Sequence, residues 1–314
     1  MPDALMPIAV LVMAYGGPDS LEEVEPYLLD VRQARPLGAE TLQEVESRYA
    51  QIGGRSPLRE RTEEQVRALE RALEKSHPGQ FKLFMGMRHW HPYIAEAVDK
   101  IRAQGIKRAV GLVMAPHYSR MSVGAYFDRT DEAVADGGKL EIARITSWKA
   151  DKGYLETLEA RLNEALQRFP PQKRGDVKLI FTAHSLPERI LEWDDPYPEE
   201  LQRTFGILKA RFPENESHFA YQSAAMTPEA WLGPDAGELM LALIDQGARD
   251  FLIAPIGFVS EHVEILYDID IDFRQQVEAA GGRLERIEMP GADLGMMESL
   301  AEVVAGKAAE RGWI

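Results

Sequence analysis

His184 follows the mostly apolar run Leu179-Ile180-Phe181-Thr182-Ala183 and opens the turn His184-Ser185-Leu186-Pro187. An imidazole there titrates near neutrality and could act as a base or a metal ligand; the plainer reading is a hydrogen-bonded loop histidine. Glu264, Asp268 and Asp272 recur every four residues in the stretch from Ser260 to Asp272. At about 100° per residue, each step of four turns only about 40°, so on an α-helix the three carboxylates form one line. Ser260 is the expected N-cap, and Glu261 suits the first turn. Like charges at this spacing cost about 0.2–0.5 kcal/mol per pair. A divalent cation along the line would remove that cost, because such ions suit carboxylate and imidazole ligands. The alternative is a solvated acidic face.

His89 and His91 flank Trp90, a spacing that does not bring them together on a helix. With the loop at His117 they could add ligands or simply hydrogen-bond, and His91 reads as the plainer case. Tyr15, Trp90, Tyr118, Tyr126, Trp231 and Tyr267 could line a pocket for a flat aromatic ligand, although most aromatic side chains belong to cores. Arg32, Arg48 and Arg55 adjoin Glu-rich helical stretches and singly read as surface ion-pair partners. Gly53-Gly54-Arg55-Ser56-Pro57-Leu58 is a glycine-rich turn without P-loop spacing, and no Gly-x-Gly-x-x-Gly follows a strand, so nucleotide binding is unsupported.

The elements that must position these residues are short apolar runs alternating with amphipathic segments. Strands are expected at 8–14, 82–87, 109–115, 141–146, 177–183, 218–222, 251–255 and 283–288, mostly without polar alternation, as for strands covered on both faces. Helical segments between them include 63–76, 93–104, 154–168, 199–211 and 236–246. Strand–helix alternation predicts an α/β fold with parallel sheets, either one sheet or two sheets of four strands. The polar segment after the fourth strand sets a boundary near residue 148. Ala115-Pro116-His117 and Ala254-Pro255-Ile256 echo one another and suggest two similar halves. The last helix, near 294–311, is expected to pack back on the first half. Ligands of such folds bind at the carboxyl ends of strands, where Tyr15-Gly16-Gly17, Arg88-His89, His117-Tyr118-Ser119, His184-Ser185 and the 257–264 segment all fall.

The 314-residue chain carries a formal net charge of −15, which disfavours nucleic acid and anionic membrane surfaces as partners. It has no cysteine, which excludes disulfides, thiolate zinc sites and cysteine-ligated iron–sulfur clusters and fits a reducing compartment. The start lacks the basic segment of a signal peptide, and no run of about 18 apolar residues occurs, so no membrane span is expected.

The sequence resembles the ferrochelatase family. The likeness rests on Leu11-Val12-Met13-Ala14-Tyr15-Gly16-Gly17-Pro18, Arg48-Tyr49, the turn from Ile52 to Leu58, Gly86-Met87-Arg88-His89 and Ala115-Pro116-His117-Tyr118-Ser119. It continues through Thr182-Ala183-His184-Ser185-Leu186-Pro187, Tyr221-Gln222-Ser223, Trp231-Leu232-Gly233-Pro234 and the segment 257–268. The resemblance implies two Rossmann-like, chelatase-type domains, 1–148 and 149–289, with residues from about 290 to 314 returning to the first and a porphyrin in the cleft between them. It implies insertion of Fe2+ with release of two protons, His184 and Glu264 forming the pair at the insertion point. Asp268 and Asp272 would then serve a second cation, Mg2+ or another divalent ion, or a relay, with Arg48 and Ser223 beside them.

Tyr15 matches a tyrosine of the soluble, coproporphyrin III-using branch that can ligate the product iron. Four propionates would be met by Arg32, Arg48, Tyr49, Ser56 and Tyr126, with His89 as a further pocket candidate; arginine suits bidentate carboxylate recognition. The resemblance implies a cytoplasmic monomer with no organic cofactor and no iron–sulfur cluster, and a downstream haem-pathway enzyme as a candidate partner. The competing readings are a protoporphyrin IX enzyme, a cobalt or nickel chelatase for a sirohydrochlorin-type ring, a non-catalytic porphyrin or haem carrier, and a two-domain sugar transferase.

Overall fold

The computed structural model describes residues 6–135, 137–225 and 227–314. All eight apolar runs are strands: β1 (Ile8–Ala14), β2 (Phe81–Met87), β3 (Arg108–Val113), β4 (Glu141–Ile145), β5 (Lys178–His184), β6 (Ser217–Gln222), β7 (Asp250–Ala254) and β8 (Arg283–Arg286). The helices are α1 (Val24–Val31), α2 (Ala39–Gln51), α3 (Leu58–Ser76), α4 (Ile94–Ala103), α5 (Ala125–Ala135), α6 (Lys152–Leu166), α7 (Tyr197–Arg211), α8 (Ala236–Asp245), α9 (Val263–Leu266), α10 (Arg274–Ala279) and α11 (Leu294–Glu310). Every residue of β1 is apolar and buried, because helices cover both faces of its sheet. Asp151, Asp235 and Asp293 start α6, α8 and α11 by accepting backbone N–H bonds from Tyr154, Glu238 and Met296.

The strands form two four-stranded parallel sheets of the same topology, β2-β1-β3-β4 and β6-β5-β7-β8. In each, the first and third strands in chain order are neighbours whose onward connections lead to opposite sides. That arrangement opens a crevice beyond their carboxyl ends. Tyr15 lies just past β1, His184 ends β5, and the segment leading to Glu264 follows β7. The largest core cluster joins the two sheets: Val10 and Leu112 from one, Leu179 and Leu252 from the other, with Leu69 of α3, Leu158 of α6 and Leu300 of α11. The last helix, α11, lies against both α3 and α6.

The single regular helix expected through 264, 268 and 272 is corrected. Its N-cap is His262 rather than Ser260, α9 runs only from Val263 to Leu266, and a π-turn over Asp268–Phe273 intervenes before α10. The Asp272 amide bonds the Tyr267 carbonyl five residues back at 2.9 Å. The widened turn is held from outside: Ser223 donates to Asp268, and Arg286 grips Asp270. Neither anchor belongs to the local pattern.

Candidate active site

The approach of β7's loop to the end of β5 requires a glycine: a Cβ on Gly257 would fall 2.7 Å from the Cβ of Ala183. This brings the 257–264 segment beside His184. Gln222, fully buried at the end of β6, accepts from Thr182 Oγ1 at 2.7 Å and donates to the Glu264 carbonyl at 2.9 Å, fixing the backbone of the glutamate. Tyr197 donates from its hydroxyl to the His184 carbonyl at 2.9 Å, fixing the backbone of the histidine.

His184 and Glu264 meet, with Nε2 3.4 Å from Oε1, and the two side chains are 32% and 30% exposed. The other carboxylate oxygen, Oε2, stands 3.4 Å from Nε2 of His262, and His262 Nδ1 lies 3.1 Å from the Ser260 carbonyl. Burial disfavours charge on His184, but the Glu264 carboxylate and the Ser185 carbonyl outweigh it and raise the imidazole to about 9. Burial likewise opposes charge on Glu264, yet His184 and His262 hold it well below the usual carboxylate range. Next along the segment, burial and then the neighbouring Glu264 charge raise Asp268 to about 6, against Ser223 and Arg48. At neutral pH the arrangement is a paired imidazolium and carboxylate, able to exchange a proton or offer nitrogen and oxygen ligands. Among the described residues no group of three or more His, Asp and Glu side chains stands arranged to hold a metal.

Arg48 of α2 reaches the second half of the molecule. Its guanidinium lies 3.9 Å from Asp268 and over the Tyr267 ring at 5.2 Å, and it also pairs with Glu44 at 2.5 Å. Asp272 accepts from Gln276 at 3.0 Å. Thus Arg48, Ser223 and Asp268 form one cluster beside Glu264.

The wall from the first half is built around Tyr15. Its ring stacks obliquely on His89, with centroids 4.7 Å apart, and Arg88 lies 5.8 Å from the Tyr15 ring centroid and 5.5 Å from that of Tyr126. Although Tyr15 is 38% exposed, the flanking walls shield its phenol from water and push it up to about 12, with Arg88 opposing. His89 is buried against Asp30 at 2.9 Å; burial, opposed by Asp30 and assisted by Arg88, lowers it to about 4, so it is neutral. Tyr49 and Tyr126 are buried, as is Ser56, which packs so closely on the Tyr15-Gly16-Gly17 loop that a Cβ on Gly17 would meet its Oγ at 2.5 Å. Arg32 is turned to the Arg35 carbonyl at 3.1 Å. His91 pairs with Glu96 on the surface, the plainer reading. A groove of about 790 Å³ runs past this wall, lined by Leu29, Asp30, Arg88, His89, Tyr93 and Arg129; of the candidates, only His89 borders it.

The two halves are clamped through the loop after β3. Asp195 accepts from Ser119 Oγ at 3.1 Å and the Arg120 amide at 2.7 Å, and Glu200 accepts from the Tyr118 amide at 2.7 Å while pairing with Lys149. His117 is buried against Thr204 at 2.8 Å, and burial, aided by Lys149, lowers it to about 3. It is a structural histidine of the clamp. Sequence reasoning assigned no role to His262 or Arg88. Each had a signal: His262 precedes Glu264 by two residues in extended chain, and Arg88 follows directly on a strand's carboxyl end.

Comparison with known proteins bears on this site. The family model described as Ferrochelatase matches residues 7–308. A ferrochelatase of Herpetosiphon aurantiacus is 38% identical over 300 residues, covering 95% of this chain and 98% of the relative. A protein named coproporphyrin III ferrochelatase, from Geobacillus kaustophilus, is 38% identical over 307 residues and 96% of each chain. Among solved structures, SirB from Bacillus subtilis with Fe3+ has a TM-score of 0.61 at 11% identity, covering 98% of both chains, a likeness of fold alone. The sirohydrochlorin chelatase SirB of Bacillus subtilis subspecies spizizenii, with cobalt, has a TM-score of 0.58 at 11% identity, covering 98% of this chain and 97% of that one. With the family matched along nearly its whole length, the chain belongs to the ferrochelatase family, metal chelatases that insert iron into a porphyrin.

Proposed function

We propose that this ferrochelatase inserts Fe2+ into coproporphyrin III, giving coproheme and two protons, with His184 and Glu264 at the insertion point. The observation that carries the site is the His184–Glu264 pair at the mouth of the second sheet's crevice. Both pyrrole N–H protons must leave as the four ring nitrogens bind iron. A deprotonated His184 accepts a proton, and the imidazole and carboxylate replace water on the arriving iron. Asp268 and Asp272 take protons away or hold a second divalent cation such as Mg2+, for which carboxylate oxygens are suitable ligands. Arg48 and Ser223 border that path.

For the ring itself, Tyr15 becomes the ligand of the product iron, and Arg32, Arg48, Tyr49, Ser56 and Tyr126 receive the propionates, with His89 in the pocket wall. The choice of coproporphyrin III is supported by relatives bearing that name at 36–38% identity and by Tyr15 itself. On this reading the chain divides near residue 148, with residues 290–314 returning to the first half. The protein is then a cytoplasmic monomer without an iron–sulfur cluster that passes its product to a downstream haem-pathway enzyme. No helix of the described residues is long and apolar enough to cross a membrane.

The test is anaerobic Fe2+ insertion followed by porphyrin absorbance, with coproporphyrin III and protoporphyrin IX side by side, for the wild type and His184→Ala. Fast, His184-dependent conversion of coproporphyrin III is expected. Preference for protoporphyrin IX would overturn the substrate assignment while keeping the chemistry. Binding without conversion of either ring would overturn the reaction and favour a carrier.

A further inference from the structure

The aspartates of the π-turn have different partners. Asp268 accepts from Ser223 and faces Arg48, whereas Asp272 accepts from Gln276. Asp270 is instead gripped by Arg286, the last residue of β8: Nε donates to Oδ1 and Nη2 to Oδ2, both at 2.8 Å. The third guanidinium nitrogen, Nη1, donates to the Ile287 carbonyl at 2.7 Å, and the Arg286 side chain is only 13% exposed. All three nitrogens are therefore committed, two to the turn and one to the end of the strand. Arg274 reinforces the tie, donating to the Asp270 carbonyl at 3.1 Å and to the Leu284 carbonyl at 2.6 Å. A two-bonded guanidinium–carboxylate fork fixes orientation as well as distance, which a lysine ammonium cannot do.

A π-turn left to its local sequence has a competitor, the α-helix that the 264/268/272 spacing predicts. Relaxing to that helix would remove the five-residue bond from Asp272 to Tyr267 and rotate the later carboxylates relative to Glu264. Among the described residues neither Arg286 nor Asp270 bonds to His184 or Arg48, and the fork opposes that relaxation from the neighbouring strand.

We propose that Arg286 is a positioning residue for iron handling: by gripping Asp270 it holds the widened turn in the register that presents Asp268 and Asp272 to the incoming cation. The inference rests on the reading of the acidic turn given under Proposed function. It adds a residue that touches neither porphyrin nor metal, and it makes the rigidity of the turn part of how iron is received.

The experiment measures the KM for Fe2+, the kcat at saturating iron and the affinity for coproporphyrin III by fluorescence quenching. The variants are Arg286→Met, Arg286→Lys, Asp270→Asn, the Arg286→Met/Asp270→Asn pair and, as a control for the turn, Asp272→Ala. Arg286→Met should raise the Fe2+ KM about tenfold, as expected when a partner that orients a metal-handling group is lost, with porphyrin affinity unchanged. Arg286→Lys should fall between, since it keeps charge and loses the fork. The double variant should be no worse than the worse single one, because both remove the same contact. Should Arg286→Met fail to fold, Arg286→Lys and Asp270→Asn carry the same comparison. An unchanged iron KM in the fork variants, with a raised one in Asp272→Ala, overturns the positioning role alone. An unchanged KM in Asp272→Ala as well overturns the reading of the acidic turn beneath it. Porphyrin affinity falling in step with the iron term would overturn the inference in favour of general loosening of the site.

Discussion

His184 and Glu264 face each other as an ion pair, Nε2 3.4 Å from Oε1, the histidine at the end of β5 and the glutamate in α9, which follows β7 of the same sheet. Burial works against the imidazolium, but Glu264 and the Ser185 carbonyl raise it to about 9, so at pH 7 the histidine carries its proton. It must lose that proton before it can take one from a pyrrole or bind iron. We therefore expect kcat/KM for Fe2+ to rise with pH from 7 to a plateau above about 9. Glu264→Gln removes the main opposing charge and should move this limb to lower pH while lowering the plateau. Anaerobic rates across pH 6.5–9.5, a range set by the raised histidine, check both; a flat profile in the wild type would remove the coupling.

The same site costs stability at neutral pH. Burial and the Glu264 charge raise Asp268 to about 6, above its unfolded value near 3.8. A folded pKa raised above the unfolded one favours the native state below the unfolded pKa, and that advantage is lost as pH rises through about 6. Asp268→Asn should therefore raise the melting temperature at pH 8, by an effect on the order of 2 kcal/mol, and change it little at pH 4. Activity should fall. Thermal melts of both proteins at the two pH values decide this; equal shifts at both would assign the gain to packing.

The strands were legible because burial on both faces leaves little choice: the runs at β1, β5 and β7 hold almost only apolar residues, and each observed strand ends within two residues of its expected bounds. His184 was legible for the same reason, as a polar residue ending such a run. The acidic turn was not. Its four-residue spacing predicts an α-helix, and the π-turn arises from Ser223 and Arg286, which lie 45 and 16 residues away from the aspartates they hold. Arg48 illustrates the same limit. By residue type it is one more arginine in a Glu-rich helix; only the family resemblance set it beside Asp268, where the packing of the halves brings it.

Tyr197 offers a test of how firmly the histidine must be held. Its hydroxyl donates to the His184 carbonyl at 2.9 Å from a buried position, and the adjacent Asp195 ties the same turn to Ser119 and Arg120. Tyr197→Phe keeps the ring and leaves that carbonyl without its donor, which should cost about 1 kcal/mol of stability. Insertion should slow severalfold, with porphyrin affinity retained. Denaturant melts and single-turnover rates separate the two effects, and a stability loss without any change in rate would make Tyr197 purely structural.

Tyr15 offers a test of the proposed ligation of the product iron. Shielding from water pushes its phenol up to about 12 despite the cation of Arg88, so the free side chain is neutral at pH 7. To ligate iron as phenolate, as a tyrosine does in catalase, it must give up that proton, and ferric iron, formed when the ferrous product is oxidised by air, supplies the driving force. Ligation should therefore strengthen with pH. The oxidised product complex of the wild type should show a phenolate-to-iron charge-transfer band that grows between pH 6 and 9, a range chosen to lie below the pKa of the free phenol. Tyr15→Phe should lack the band and still insert iron within a few fold of the wild-type rate, because in the proposed arrangement the residue meets the iron only once it is in the ring. Product should also leave Tyr15→Phe faster, since the proposed bond from its iron to the protein is gone. If Tyr15→Phe instead loses insertion while it still binds coproporphyrin III, the phenol acts in the metallation step itself, and the division of labour between the two faces of the cleft has to be redrawn.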